Sequence, residues 1–269
     1  MDYQAAHESI VGQLADFARN AHFSECVIGL SGGLDSTVVA VLCAEAFGSS
    51  SVHGVLMPGP YSSDASSEDA LEVARNLEIP TTTISITGAY DAFARALAPT
   101  MGEDFAGVAS ENTQARCRMV VLMALSNAYG WMLVNTGNRS EAYMGYSTLY
   151  GDTAGAFAPL GSMFKTDVFA FARYLNERYV AQGKIAPIPQ RVIDKPPSAE
   201  LAPDQTDEEG LGIGYAELDR ILAGHFDAGL GADVLASQSM SAAQVDDVLS
   251  RARKYAYKRT MHPPAAVLP

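Results

Sequence analysis

Residues 26–47 constrain this chain more than any other stretch. Cys26-Val27-Ile28-Gly29-Leu30 is a short apolar run of the buried-strand type, and it ends abruptly in Ser31-Gly32-Gly33. A helical pattern follows from about Ser36 to Phe47 and stops at Gly48. Small residues at such a turn let backbone N–H groups close around an anion, and the helix N-terminus behind them adds partial positive charge.

The alternation continues. Ile10, Leu14 and Phe17 are spaced like one face of an opening helix. Val52 to Met57 reads as a second strand, ended by Pro58, and Ser66-Ser67-Glu68-Asp69 starts a helix that runs to about Leu77. Thr81 to Ile86 is β-branched and strand-like, with a helix expected from about Tyr90 to Leu97. Asn112 to Tyr129 lacks Pro and Gly and reads as a buried helix, and Trp131 to Val134 as a fourth strand. Strands alternating with helices predict right-handed βαβ units: an α/β, doubly wound, Rossmann-like parallel sheet with helices on both faces. Ligands in such sheets bind beyond the carboxyl ends of the strands, so the polar turns after Leu30 and after Val134 are the places to search.

The second half is less regular. Thr166 to Val180, Tyr215 to Leu222 and Ser241 to Lys254 read as helices. Pro187 to Gly214 holds five prolines and the acidic residues Asp204, Asp207, Glu208 and Glu209. That stretch is either a solvated surface loop or, near 195–214, a mobile lid. Residues 1–269 are read as one domain.

Acidic residues number 31 and basic residues 18, a net charge of −13. That balance argues against a broad nucleic-acid surface, though a local basic pocket for an anionic substrate is compatible with it. No basic-then-apolar leader and no apolar run of about 20 residues is present, so a cytoplasmic, membrane-free protein is expected. Cys26, Cys43 and Cys117 form no CxxC pair, which leaves buried thiols rather than a zinc site or disulfide framework.

Gly29-Leu30-Ser31-Gly32-Gly33-Leu34-Asp35-Ser36 lacks the lysine of a Walker A loop and the spacing of G-x-G-x-x-G. It resembles the pyrophosphate loop of the N-type ATP pyrophosphatases. Further motifs resemble one branch of that superfamily, the NAD synthetase family. They are Met57-Pro58-Gly59-Pro60-Tyr61-Ser62-Ser63, Glu111-Asn112-x-Gln114-Ala115-Arg116-x-Arg118, Thr136-Gly137-Asn138-x-Ser140-Glu141, Tyr150-Gly151-Asp152, Lys165-Thr166, Pro197-Ser198-Ala199-Glu200-Leu201, Gln205-Thr206-Asp207-Glu208 and Tyr257-Lys258-Arg259. They occur in the family's order over roughly residues 5–262.

The resemblance implies ATP-dependent amidation of nicotinic acid adenine dinucleotide (deamido-NAD) with ammonia, through an acyl adenylate, releasing pyrophosphate and AMP. It implies that residues 29–36 cradle the ATP phosphates and that Asp35 and Glu141 ligate Mg²⁺. Thr136 and Ser198 then contact ATP, and Lys165 neutralises its phosphates. Arg116, Tyr257 and Lys258 match positions that bind the dinucleotide, at what is in the family a homodimer interface. Arg118 lies about 200° from Arg116 around a helix and is expected in a structural ion pair. Asp152 is a candidate to help ammonium lose its proton. The five histidines, His7, His22, His53, His225 and His262, fall outside the motifs and are expected to be surface or core residues.

Two departures matter. Many ammonia-dependent members carry lysine where Leu149 stands and aspartate where Ala156 stands. The version here resembles the synthetase domain of the glutamine-dependent enzymes, without room for their N-terminal glutaminase, so ammonia is expected from solution or from a separate glutaminase chain. The same chemistry on another carboxylate, and a subunit that needs a glutaminase partner, stay open as alternatives.

Overall fold

The computed structural model describes residues 1–237 and 241–269. Four parallel strands, β1 (Cys26–Gly29), β2 (Val52–Leu56), β3 (Thr81–Thr83) and β4 (Met132–Leu133), lie in the order β3-β2-β1-β4. The helices are α1 (Tyr3–Asn20), α2 (Leu34–Phe47), α3 (Asp64–Leu77), α4 (Thr87–Met101), α5 (Gly107–Tyr129), α6 (Arg139–Met144), α7 (Lys165–Ala181), α8 (Gln190–Asp194), α9 (Asp207–Leu211) and α10 (Tyr215–Phe226). Three more close the chain: α11 (Ala232–Ser237), α12 (Ala242–Lys254) and α13 (Ala256–Arg259).

Side-chain alternation along the strands builds both faces. Cys26, Ile28, Val52, Leu56 and Met132 join one core with residues of α1, α2, α3 and α7. Val27, Val55 and Leu133 point the other way and pack with Met119 and Leu122 of α5. This is the expected doubly wound arrangement. A satellite core joins Met144 and Phe164 to residues of α9–α12.

β1 is hydrogen-bonded to both β2 and β4, so the strand order diverges from β1, with β2 and β3 on one side of it and β4 on the other. That divergence places the two polar turns side by side at the carboxyl ends, where α/β folds open a crevice.

Several boundaries differ from expectation for local reasons. α2 begins at Leu34 because Gly33 takes the N-cap, which puts Asp35 in the first turn. α4 runs on to Met101, and α5 begins at Gly107. The long helix is not buried all round: Val120 is 67% and Tyr129 63% exposed. The 187–214 stretch is not a plain loop, since it contains α8 and α9. Asp207, expected in a solvated acidic run, is 5% exposed. No described helix is long and apolar enough to cross a membrane.

Candidate active site

A cavity of about 320 Å³ opens at the carboxyl ends of β1, β2 and β4. Its floor is the turn after β1. Gly32 has φ +78°, and a Cβ there would stand 2.0 Å from Ser66 O, so only glycine lets this turn pass under α3. Ser36 Oγ donates to Gly33 O at 3.0 Å and accepts the Ser31 N–H at 3.2 Å, which holds the loop against the α2 N-terminus.

The turn after β4 supplies the opposite wall. Asn138 caps α6 by accepting the Glu141 N–H at 3.0 Å, and Glu141 Oε2 accepts the Asn138 N–H in return. The Asn138 amide also donates to Asp35 Oδ1 at 3.2 Å. Two turns far apart in sequence are thereby joined. Lys165, the first residue of α7 and 2% exposed, pairs with Asp35 and stands 3.8 Å from Glu141 Oε1. Burial works to lower the Lys165 ammonium, but the two carboxylates outweigh it and hold it raised. Burial and the Asp35 charge push Glu141 up to about 8. Asp207 is also raised by burial; its Oδ2 accepts the Tyr215 hydroxyl at 3.1 Å.

The 195–206 segment forms a third wall. Glu200 accepts from Ser66 Oγ at 2.6 Å, from Ser63 Oγ at 3.0 Å and from the Ser63 N–H at 3.2 Å, and Lys195 reaches the same cluster. Ser198 Oγ donates to Gln205 O at 2.5 Å.

Of the residues expected at the site, Gly29, Leu30, Ser31, Gly33, Leu34, Asp35, Ser36, Thr136, Glu141, Asp152, Lys165 and Ser198 line this one cavity. Gly32, Arg116, Tyr257 and Lys258 do not. Arg116 is exposed and donates through Nε to Leu149 O at 3.2 Å; Tyr257 is 54% exposed. Lys258 Nζ donates to Gly145 O at 2.7 Å and Ser147 O at 2.6 Å. Leu149 and Ala156 are also outside the lining.

Two expectations need correction. Arg118 lines the cavity, and its guanidinium donates to Met57 O at 3.1 Å and Ser62 Oγ at 3.4 Å rather than to a carboxylate. His262 also lines the cavity. Tyr146, Ser147, Glu200 and Asp207 join it too, although the motif reading gave them no role.

Five buried side-chain atoms among the described residues lack a hydrogen-bond partner: Gln114 Oε1, Tyr146 OH, Ser147 Oγ, Asp207 Oδ1 and His262 Nε2. All but the first belong to cavity-lining residues. Orphaned polar atoms are costly elsewhere in a protein, and their concentration here is the mark of a site shaped for a polar ligand.

The NAD synthase family profile matches residues 6–262. The chain belongs to the NAD synthase family. It is 43% identical over 251 residues to a glutamine-dependent NAD(+) synthetase of Thermotoga maritima, covering 93% of this chain and 43% of that protein. The chain thus spans less than half the length of the curated relatives it matches. Among solved structures, the NMN synthetase of Francisella tularensis aligns with TM-score 0.80 at 31% identity over 96% of both chains. The NH3-dependent NAD synthetase of Campylobacter jejuni aligns with TM-score 0.75 at 29% identity, also over 96% of both. Both likenesses extend over nearly the whole chain, which gives the NAD synthase assignment a structural counterpart as well as a sequence one.

Proposed function

We propose that this chain is an ammonia-using NAD synthetase. In this reading ATP adenylates the nicotinate carboxylate of deamido-NAD, pyrophosphate leaves, and ammonia displaces AMP to give NAD. The observation that carries it is the single cavity in which the turn after β1, the Asp35–Lys165–Glu141 cluster and the 195–206 wall converge.

A carboxylate is a poor electrophile, so the protein has to hold two polyanions together and neutralise them. The N–H groups at the α2 N-terminus and the Lys165 ammonium do this for the ATP phosphates. Thr136 and Ser198 flank the nucleotide. Among the described residues no three His, Cys, Asp or Glu side chains form a self-sufficient metal cage. Asp35 and Glu141 are nonetheless the donor set that Mg²⁺ uses when phosphate oxygens complete its coordination, so the residues fit that ion. Bound there, Mg²⁺ supplies charge neutralisation for the leaving pyrophosphate.

Arg116, Val120 and Met123 lie four and three residues apart and share one exposed face of α5. We place a second copy of the chain against this face, as a homodimer, with the dinucleotide held between the copies and its nicotinate carboxylate reaching into the cavity. This accounts for Arg116 and Lys258 lying outside the cavity of one copy. The ammonia comes from solution or from a separate glutaminase, and the site of action is the cytoplasm.

The likeness to an NMN synthetase supports one alternative, the corresponding mononucleotide as the acid. Exchange of labelled pyrophosphate into ATP, run with each acid in turn, tests both. Exchange supported by deamido-NAD upholds the main reading. Exchange supported by the mononucleotide alone replaces it with the alternative.

A further inference from the structure

His262 sits in the cavity wall by means of the backbone around it. Pro263 and Pro264 follow it, which stiffens the segment. Pro264 O accepts the Ala158 N–H at 2.9 Å, and Ala158 bridges Ala265. Phe157, next to it, bridges Val134 beyond the end of β4, and Phe157 O accepts the Asn135 N–H at 2.9 Å. On its other side the His262 N–H donates to Arg259 O at 3.2 Å. The C-terminal tail thus carries one imidazole to the carboxyl end of the sheet.

The Nε2 of that ring is closed off from water and meets no protein donor or acceptor. Burial, then the neighbouring charges of Lys258 and Arg259, hold the ring below the usual histidine range. A neutral imidazole keeps a lone pair at neutral pH.

The cavity has two charged ends. Lys165 is bound up with Asp35 and Glu141, at the phosphate end. Asp152 instead answers to Lys258, Arg116 and Arg118. Ser147, whose carbonyl holds Lys258, lies on that second side, and of the two charges that act on His262 that of Lys258 is the stronger. In the amidation reading the acyl group and the incoming amine are assigned to this second side, and the phosphates to the first.

We propose that His262 accepts the proton released when ammonia attacks the acyl adenylate. The proposal rests on the amidation reading given above. The ammonia lone pair forms the C–N bond and the carbonyl electron pair moves onto oxygen. His262 Nε2 removes one N–H proton from the resulting ammonium centre. The oxyanion then collapses, the bond from the acyl carbon to the phosphate oxygen breaks, and its electron pair leaves with AMP. The imidazolium hands its proton to the departing phosphate oxygen of AMP, so the proton need not reach water through the closed side of the ring. Asp152 is the other group to compare: burial raises its carboxyl to about 6 despite the cations around it, but its Oδ1 already takes the Thr148 N–H at 2.6 Å, whereas His262 Nε2 has no partner.

The test separates the two half-reactions in the 269-residue chain. Pyrophosphate exchange into ATP with deamido-NAD reads adenylation; single-turnover conversion of preformed acyl adenylate with ammonium reads amidation. For H262Q and H262N, exchange should stay within about twofold of the unaltered chain while amidation falls about 100-fold, the usual weight of a general base. Added imidazole should restore amidation in H262A, and melting temperatures check that each variant folds. Normal amidation by folded H262Q, or equal losses in both half-reactions, would overturn the role of His262. Absence of exchange in the unaltered chain would overturn the amidation reading itself.

Discussion

Lys165 pairs with Asp35 across the cavity floor, joining the first residue of α7 to the first turn of α2. An ammonium at a helix N-terminus opposes the helix dipole, so Lys165 does nothing for α7 by itself. Its place is justified by the carboxylates of Asp35 and Glu141 and, in the proposed reading, by the phosphates that would reach the same point.

Lys165→Met should therefore act twice. Removing the cation leaves Asp35 and Glu141 facing each other with no counter-charge, at a stability cost of about 3 kcal/mol for a broken buried pair. Pyrophosphate exchange should fall by about 100-fold or more, as for loss of a group that neutralises transition-state charge. Thermal melting and exchange assays on the same preparation check both parts.

Gly32→Ala tests the phosphate loop without touching a charge. The added Cβ would collide with Ser66 O in a left-handed backbone region, so the loop or α3 must shift. The expected result is a loss of about 1–3 kcal/mol together with weakened ATP binding, measured by melting and calorimetry. A fully stable variant with normal ATP affinity would contradict the loop geometry.

Glu200 ties the 195–206 wall to Ser63 and Ser66 at the start of α3. Glu200→Ala should raise the KM for ATP about tenfold, the equivalent of one hydrogen bond to a charged group, with a smaller change in kcat. Hydrogen exchange across residues 195–206 should quicken in the same variant.

Stability against pH should carry the mark of Glu45. Its Oε2 stands 2.5 Å from His7 Nε2 and its Oε1 2.7 Å from Arg178, so three helices meet at one carboxylate. Burial alone would raise Glu45, but His7 and Arg178 outweigh it and hold the group below its ordinary value. A lowered folded-state pKa means the stabilisation is present above the unfolded value of about 4.3 and is lost as pH falls through the folded one. The stability gap between the unaltered chain and Glu45→Gln should thus be widest near neutral pH, about 2 kcal/mol, and shrink below pH of about 4. Urea titrations at a series of pH values read it directly.

Val120→Asp places a charge on the exposed α5 face shared with Arg116. Sedimentation should show the dimer giving way to monomer, and the KM for deamido-NAD should rise while exposed-face stability changes little. An unaltered chain that sediments as a monomer would contradict the placement of the second copy.

The sheet and the glycine-rich turn after β1 were legible because local signals carry them. Apolar runs of four or five residues, each followed by a turn and a helix, leave few alternatives to βαβ units, and Ser31-Gly32-Gly33 sits where such a fold binds anions. What was not legible depends on distant partners. Asp207 looked like one of a solvated acidic run, yet it is buried, with its Oδ2 taking the Tyr215 hydroxyl and the Lys165 charge acting on it. Arg118 was judged from helical angle alone, yet Met57 O and Ser62 Oγ draw it to the cavity. His262 reaches the site through the bridge between Ala158 and Ala265, a pairing no local pattern announces.

The central claim is best tested by incubating the purified chain with ATP, Mg²⁺ and deamido-NAD, adding either ammonium or glutamine, and quantifying NAD and AMP. The account predicts equal amounts of NAD and AMP with ammonium and no NAD with glutamine alone. If neither NAD nor AMP forms with ammonium present, the account is contradicted.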